Sequence, residues 1–301
     1  MPDLAFIWAA LIAFAVLAYV VFDGFDLGIG ILFPFLATDE ERDQAMNSVA
    51  PVWDGNETWL VLGGGGLLAA FPVAYAIILT ALYAPLTAML LALIFRGVAF
   101  EFRWRAFRKR LWDWAFAGGS ILATFAQGIA LGALVQGIAV SDRVYAGGWW
   151  DWLTPFSLLT GAALLVGYAL LGATWLVLKT RAHLQERAFG FAWPAMLYTA
   201  PMPLLLAVAA AVLLRGLARR REMAPFLAAV ALFVLSYIGL GISFYPYIVP
   251  PTVTIWSAAA PHSSLRFLLV GAGILIPLIL AYTAWSYWVF RGKLDPSAGY
   301  H

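Results

Sequence analysis

Six side chains are out of keeping with the apolar segments that carry them. They are Asp23 and Asp26 in "VFDGFDLGIG", Asp54 and Glu57 in "PVWDGNETWL", and Arg96 and Glu101 in "FRGVAFEF". Asp23 and Asp26 are three residues apart, as are Asp54 and Glu57, so each pair falls on one face of a helix. Gly24, Gly28 and Gly30 beside the first pair would let a neighbouring backbone come close. Carboxyls held near one another in a low dielectric cannot all ionise, so their proton affinities split and protons can be held and passed along the row. Arg96, expected as the partner of Asp54, would keep one member ionised. A plainer reading exists for Asp54 and Glu57, since acids at a helix start cap free amides and complement the dipole. Capping is not available to Asp23 and Asp26, where the apolar run continues on both sides. Acids inside a membrane span point to function by default, the alternative being neutral, hydrogen-bonded packing acids.

The elements that must position these groups follow from composition. The chain has 301 residues, 63% hydrophobic and only 11% charged, with 14 Trp, whereas soluble domains run to about 25% charged. This is the composition of an all-α, polytopic membrane protein made of one transmembrane domain over 1–301, with membrane lipids as neighbours and nothing to recommend a nucleic-acid partner. No basic residue precedes the apolar run at 4–22 and no small-residue cleavage site follows it, so it is expected to be a span rather than a removed leader. The absence of cysteine excludes disulfides, thiolate metal sites and a cysteine nucleophile.

At about 20 apolar residues per crossing, eight spans are expected: 4–36, 57–71, 73–95, 115–140, 154–178, 196–214, 225–248 and 265–290. The loop after the third holds six of the 18 Lys and Arg, which makes it cytoplasmic and the N-terminus periplasmic. Asp23, Asp26, Asp54, Glu57, Arg96 and Glu101 then converge at one depth, on the cytoplasmic side. Eight spans divide the basic residues 11 inside to 7 outside, because "RGLARRR" and "RGK" fall on the wrong side. One more crossing between about Arg187 and Trp193 gives 16 to 2 and a cytoplasmic C-terminus. Parity therefore predicts nine spans, with a segment missing near 187–193 as the preferred explanation.

His183, His262 and His301 are expected in loops or at the terminus. Met46, Met89, Met196, Met202 and Met223 have no intramembrane histidine partner, so no haem or transition-metal site is expected on this chain. "GGGG" at 63–66 lacks the Lys-Ser/Thr of a phosphate loop and reads as close helix packing. "FYPYIVPP" reads as a proline-broken span end, and Trp and Tyr in "YAGGWWDW" and "YTAWSYW" as interfacial belts.

Several long motifs in order, "DGFDLGIG", "NSVAPVWDGNETWL", "FRGVAFEFR" with "WDW" after it, and "AYTAWSYW", resemble subunit II of the cytochrome bd-type quinol oxidases. "LFPF", "FAQGIALGALVQG" and "ISFYPYIVPP" look most like its cyanide-insensitive branch. The resemblance implies a bacterial inner-membrane subunit of nine spans, arranged as two four-helix bundles and a peripheral helix. It implies a haem-free chain that supports assembly of a homologous subunit I, whose haem b and haem d groups oxidise quinol, reduce dioxygen to water and build a proton gradient. A small single-span accessory subunit often joins the two. Asp54 matches the family's aspartate on a proton route from the cytoplasm. Asp26, Trp53, Arg96 and Asp113 match the surroundings of a structural quinone held by some members. The intramembrane acids alone would also permit a proton-coupled secondary transporter, against which the lack of an evident inverted repeat counts, or a purely structural scaffold subunit.

Overall fold

The first helix owes its length to an unbroken apolar run and its start to Asp3, whose carboxylate accepts from the Phe6 amide. In a computed structural model, which describes residues 3–198 and 204–294, helix α1 (Leu4–Leu32) ends in a 3-10 turn containing Pro34. A short amphipathic helix that the hydropathy pattern does not announce comes next, α2 (Asp39–Asn47). Its N-cap Thr38 accepts from the Glu41 amide, and its first turn carries three acids.

The apolar run at 57–95 is not two crossings of equal kind. Helix α3 (Trp53–Ala70) stops at Phe71, and α4 (Pro72–Ala81) turns away by 120°. Pro72 has no amide to donate and is suited only to a first turn; at the break, the Ala70 carbonyl accepts from the Ala260 amide at 2.8 Å. The expected third span, 73–95, is thereby corrected: its first part is the short deflected α4, and the long helix is α5 (Tyr83–Phe102).

Helix α6 (Lys109–Gln136) begins six residues before the expected boundary, taking basic residues of the loop into its first turn. A short hairpin, β1 (Val140–Ser141) with β2 (Val144–Tyr145), leads to α7 (Pro155–Lys179), which opens on a reciprocal Thr154 and Ser157 capping box with Pro155 in its first turn. Helices α8 (Ala182–Tyr198), α9 (Leu204–Ala218) and α10 (Met223–Phe244) follow. The "FYPYIVPP" segment forms β3 (Tyr247–Val249), which pairs with β4 (Val253–Thr254) before α11 (Ile255–Ala258) and α12 (His262–Val289).

Among the described residues, six helices are long and apolar enough to cross a membrane, and the bent α3 and α4 pair makes a seventh. Helix α9 is apolar but shorter. Helix α8 runs unbroken, with Pro194 inside it, through the stretch 187–193 where a missing segment is expected. It escapes a hydropathy reading because its first turns carry His183, Glu186 and Arg187.

Helices α8 and α9 go out and come back. Arg220, just past α9, ion-pairs with Glu186 near the start of α8, and Gln185 donates to Glu222 at 3.0 Å. Lys293 pairs with Glu222, and the Leu294 amide donates to the Lys179 carbonyl at 2.9 Å. Both basic groups that an eight-span count strands on the wrong side therefore lie at the end of the bundle that carries Lys179 and Arg187.

The neighbours fall into two groups of four. Helices α3, α1, α6 and α5 pack in sequence, α7, α8, α9 and α10 close a ring, and α1 and α6 both meet α7. Helix α12 packs mainly on α1 and α3, with Tyr287 also against Trp175 of α7, and keeps most of its surface outward. The crossing of α1 and α7 is the tightest: a methyl added at Gly28 would come within 1.9 Å of the Tyr168 carbonyl, and one at Gly172 within 2.4 Å of Gly28. Small residues let helix backbones approach this closely in a membrane.

Candidate functional site

Three helices meet at Arg96. Its side chain leaves α5 fully buried, and Nη1 donates to Asp23 Oδ1 of α1 at 2.6 Å. Nη2 lies 2.9 Å from Glu57 Oε1 of α3, an ion pair with no aligned hydrogen bond. Asp23 and Asp26 are both without solvent exposure. Asp26 takes its hydrogen bond from Asn56 Nδ2 at 2.8 Å, and Asn56 Oδ1 accepts from Tyr287 of α12 at 3.0 Å. Close approach of α5 and α6 is provided by Gly119, where a methyl would fall 2.6 Å from the Ala92 carbonyl.

The cluster differs in one respect from the sequence expectation. The partners of Arg96 are Asp23 and Glu57, not Asp54. Asp54 lies in the first turn of α3 without serving as its cap, exposed, with its backbone carbonyl accepting from Thr58. One turn of helix separates it from the half-buried Glu57, so α3 carries a short row of acids from the surface to the buried guanidinium. Glu101 is exposed and outside this set.

Trp53 covers the cluster. It stacks on Phe100 with centroids 4.6 Å apart and planes within 5°, and the Arg96 guanidinium lies 5.8 Å from its centroid. Further in, Tyr19 stands one turn before Asp23 and accepts from Gln127 Nε2 at 2.8 Å, while Tyr168 donates to Gln127 Oε1 at 3.0 Å. These three polar groups, with Ser236 and Tyr237 of α10, border a largely apolar cavity of about 390 Å³ between α1, α3, α5, α6, α7 and α10.

The four residues matched to a structural quinone separate into two places. Asp26, Trp53 and Arg96 belong to the buried cluster, whereas Asp113 accepts from Arg103 Nε at 2.6 Å in a second one. There Arg103, fully buried, also binds Asp43 of α2, and Lys109 reaches Asp43 at 3.0 Å. Asp26 and Arg96 are fully buried, whereas Asp113 lines a hollow at the start of α6.

Sequence reading missed Asn56, Arg103 and Asp43. Asn56 stands inside the "WDGNET" motif but does not ionise, and a search for charges passes over it. Arg103 enters only as one of the six basic residues of its loop and Asp43 not at all; nothing in their spacing announces a pair 60 residues apart. His183, expected as a solvated loop residue, sits in α8 with Nδ1 2.6 Å from Glu41 Oε1. Of "GGGG", Gly63 and Gly66 pack on Val16 and Ile12 of α1, while Gly64 and Gly65 face open space. His301 and Met202 lie outside the described residues. Among the described residues no group of three or more His, Asp or Glu is arranged to hold a metal ion.

Fold and site together define a polytopic helical membrane protein with an ion-paired acidic cluster buried where three of its helices meet. The profile of the family described as Cytochrome bd terminal oxidase subunit II matches residues 4–290, and the chain belongs to that family. It is 30% identical to Cytochrome bd-I ubiquinol oxidase subunit 2 of Escherichia coli (strain K12), over 97% of this chain and 95% of that protein. It is also 30% identical to Cytochrome bd ubiquinol oxidase subunit 2 of Bacillus subtilis (strain 168), over 98% of each. The first alignment spans 360 positions, more than this chain has residues, so that relative carries segments this chain lacks. A chain of the bd oxidase structure from Geobacillus thermodenitrificans has the same fold, with a TM-score of 0.75 over 96% of this chain and 99% of that one at 18% identity.

Proposed function

We propose that this chain is the haem-free subunit of a bacterial quinol:dioxygen oxidoreductase and supplies a proton route from the cytoplasm toward haems held by its partner subunit. The observation that carries this reading is the geometry around Arg96. A single guanidinium faces Asp23 and Glu57, with Asp26 one turn away, and all but Glu57 are fully buried. One cation against three carboxyls leaves an excess of acid in low dielectric, so the set is suited to hold a proton. Asp54, exposed at the mouth of α3, is the collecting residue, and Glu57 is the step between it and the interior.

The basic residues gathered at that end support a cytoplasmic mouth, with nine passes (α1, α3, α5 to α10 and α12), a periplasmic N-terminus and a cytoplasmic C-terminus. The outer face of α3 supports a partner. Asp54, Thr58, Val61, Gly65 and Leu68 recur at helical spacing and are all exposed, and Gly65 leaves room for a close helix. Docking of the haem-bearing subunit on this face would put Asp54 at the junction of the two chains. The motifs further support the cyanide-insensitive branch, to be checked by turnover in cyanide. Redox chemistry remains with the partner: when bound there, the haems supply the electrons and the oxygen site.

The test is Asp54→Asn in the assembled complex. Proton uptake and quinol-oxidase turnover should fall about 10-fold or more, the scale for losing a positioned proton-transfer group, with Asp54→Glu milder because it still titrates. Full turnover with undiminished uptake in Asp54→Asn would overturn the proton route. Absence of haem bands from a complex isolated through this chain would favour a transporter, and a reporter after Arg221 that reads as periplasmic would overturn the nine-pass topology.

A further inference from the structure

We infer that a hollow at the basic end of the bundle binds the phosphate head of an anionic phospholipid, whose acyl chain lies along the outer face of α6. The hollow, of about 810 Å³, opens between the turn after α1, the start of α2 and the connection from α5 to α6. Its lining sets four cations, Arg42, Arg108, Lys109 and Arg110, against two carboxylates, Asp39 and Asp113. Both acids are already engaged, Asp39 with Arg42 at 3.1 Å and Asp113 with Arg103 at 2.6 Å, and Lys109 is held by Asp43 at 3.0 Å, which leaves Arg108 and Arg110 to set the balance. The lining therefore presents excess positive charge.

One further observation points at an anion. Helix α6 starts in this hollow with no side-chain cap and no acid in its first turn, so its first amides are left for another acceptor. Behind the wall, the fully buried Arg103 holds Asp113 and Asp43, with its guanidinium 5.4 Å from the centroid of Phe33, itself part of the lining.

What continues from the hollow selects a lipid over a soluble phosphate. Trp114, in the lining, is 60% exposed and Leu111 beside it 68%. One turn on, Gly118 has nothing within 4 Å of where a Cβ would stand, and beyond it Ile121 and Leu122 are exposed. These positions follow the helical repeat, so a notched apolar strip runs from the charged hollow along a helix long and apolar enough to cross the membrane. A molecule with an anionic head and an apolar tail complements both parts, and basic hollows at the cytoplasmic membrane surface are where such heads dock. The inference rests on the membrane reading of the chain and not on the proton route through Asp54.

Native mass spectrometry of the assembled complex, titrated with phosphatidylglycerol or with phosphatidylcholine of the same acyl chains, tests it. The complex should retain phosphatidylglycerol preferentially. The double variant Arg108→Gln, Arg110→Gln should weaken that retention about 30-fold, the effect of removing two interfacial cations. Arg105→Gln, an exposed arginine outside the hollow, should change it by less than about twofold, as befits a distant surface charge. Gly118→Phe, which fills the notch, should weaken phosphatidylglycerol retention while leaving displacement by inorganic phosphate as it was. The intact mass in the same spectra reports assembly of each variant. Equal retention of the two lipids would overturn the inference, and so would an Arg105→Gln effect as large as that of the double variant. Ready displacement by inorganic phosphate with Gly118→Phe silent would assign the hollow to a soluble anion and overturn the lipid.

Discussion

Arg96 on α5 and Asp23 on α1, 73 residues apart in the chain, meet at 2.6 Å with both side chains fully buried. Every other member of the cluster is arranged around that contact, with Glu57 on the free side of the guanidinium and Asp26 held off by Asn56. Burying such a pair is costly and gives little net stability, yet removing one partner leaves an uncompensated buried charge.

Arg96→Gln should therefore destabilise the chain by about 3–5 kcal/mol, the range for breaking a buried ion pair. Asp23→Asn combined with Arg96→Gln should recover part of the loss. Thermal unfolding of the purified complex measures both; equal stability of the single and double variants would mean that the two groups do not act as a pair.

Asn56→Leu removes the hydrogen bond to Asp26 and the acceptor for Tyr287 at once. Each buried polar group left unsatisfied costs about 1–3 kcal/mol. Helix α12, which has few other neighbours, should loosen first. Faster hydrogen exchange in 262–289, with α7 unchanged, is the expected result.

Gly28→Ala sets a methyl against the backbone of α7, 1.9 Å from the Tyr168 carbonyl, where no side chain can swing aside. Overpacking typically costs about 1–3 kcal/mol and more where backbone must move. Assembly yield should fall sharply, whereas Gly64→Ala, at a position with open space around it, should leave the isolated chain as stable as before.

Acid should release α2 from α8. Burial raises the Glu41 carboxyl, but the Ala37 amide, His183 and Arg187 together outweigh it and hold the pKa below the ordinary 4.5. A carboxyl depressed in the folded state contributes stability above its unfolded value and loses it as the pH falls through the folded one. Hydrogen exchange in 39–47 should thus accelerate on acidification through and below that range, and Glu41→Gln should flatten the dependence.

Much of the site was legible before folding. Acids and an arginine inside apolar runs are costly there, which is why Asp23, Asp26, Glu57 and Arg96 stand out from hydropathy alone. Spacing assigns each pair to a helix face, but a face does not name its partner. The sequence pointed to Asp54 as the partner of Arg96, and the packing of α3 on α1 brings Glu57 to the guanidinium instead. Asn56 was passed over because an amide carries no charge, and Arg103 because its partner in α2 belongs to a helix with no hydropathy signal.

Composition and periodicity by themselves determined that this protein is an all-α membrane bundle, because 63% apolar residues in runs of helical length have no other stable form in lipid. Counting basic residues gave the expectation of one more pass, since charge bias depends only on which loops the cations occupy. What occupies the stretch 187–193 was decided by tertiary structure: α8 contains charged residues whose partners, Glu41 and Arg220, come from distant parts of the chain. The pairing at Arg96 was decided in the same way. Which acid a buried cation meets depends on how three helices come together, and glycine contacts such as Gly28 with α7 and Gly119 with α5 hold two of them, α1 and α5, against their neighbours.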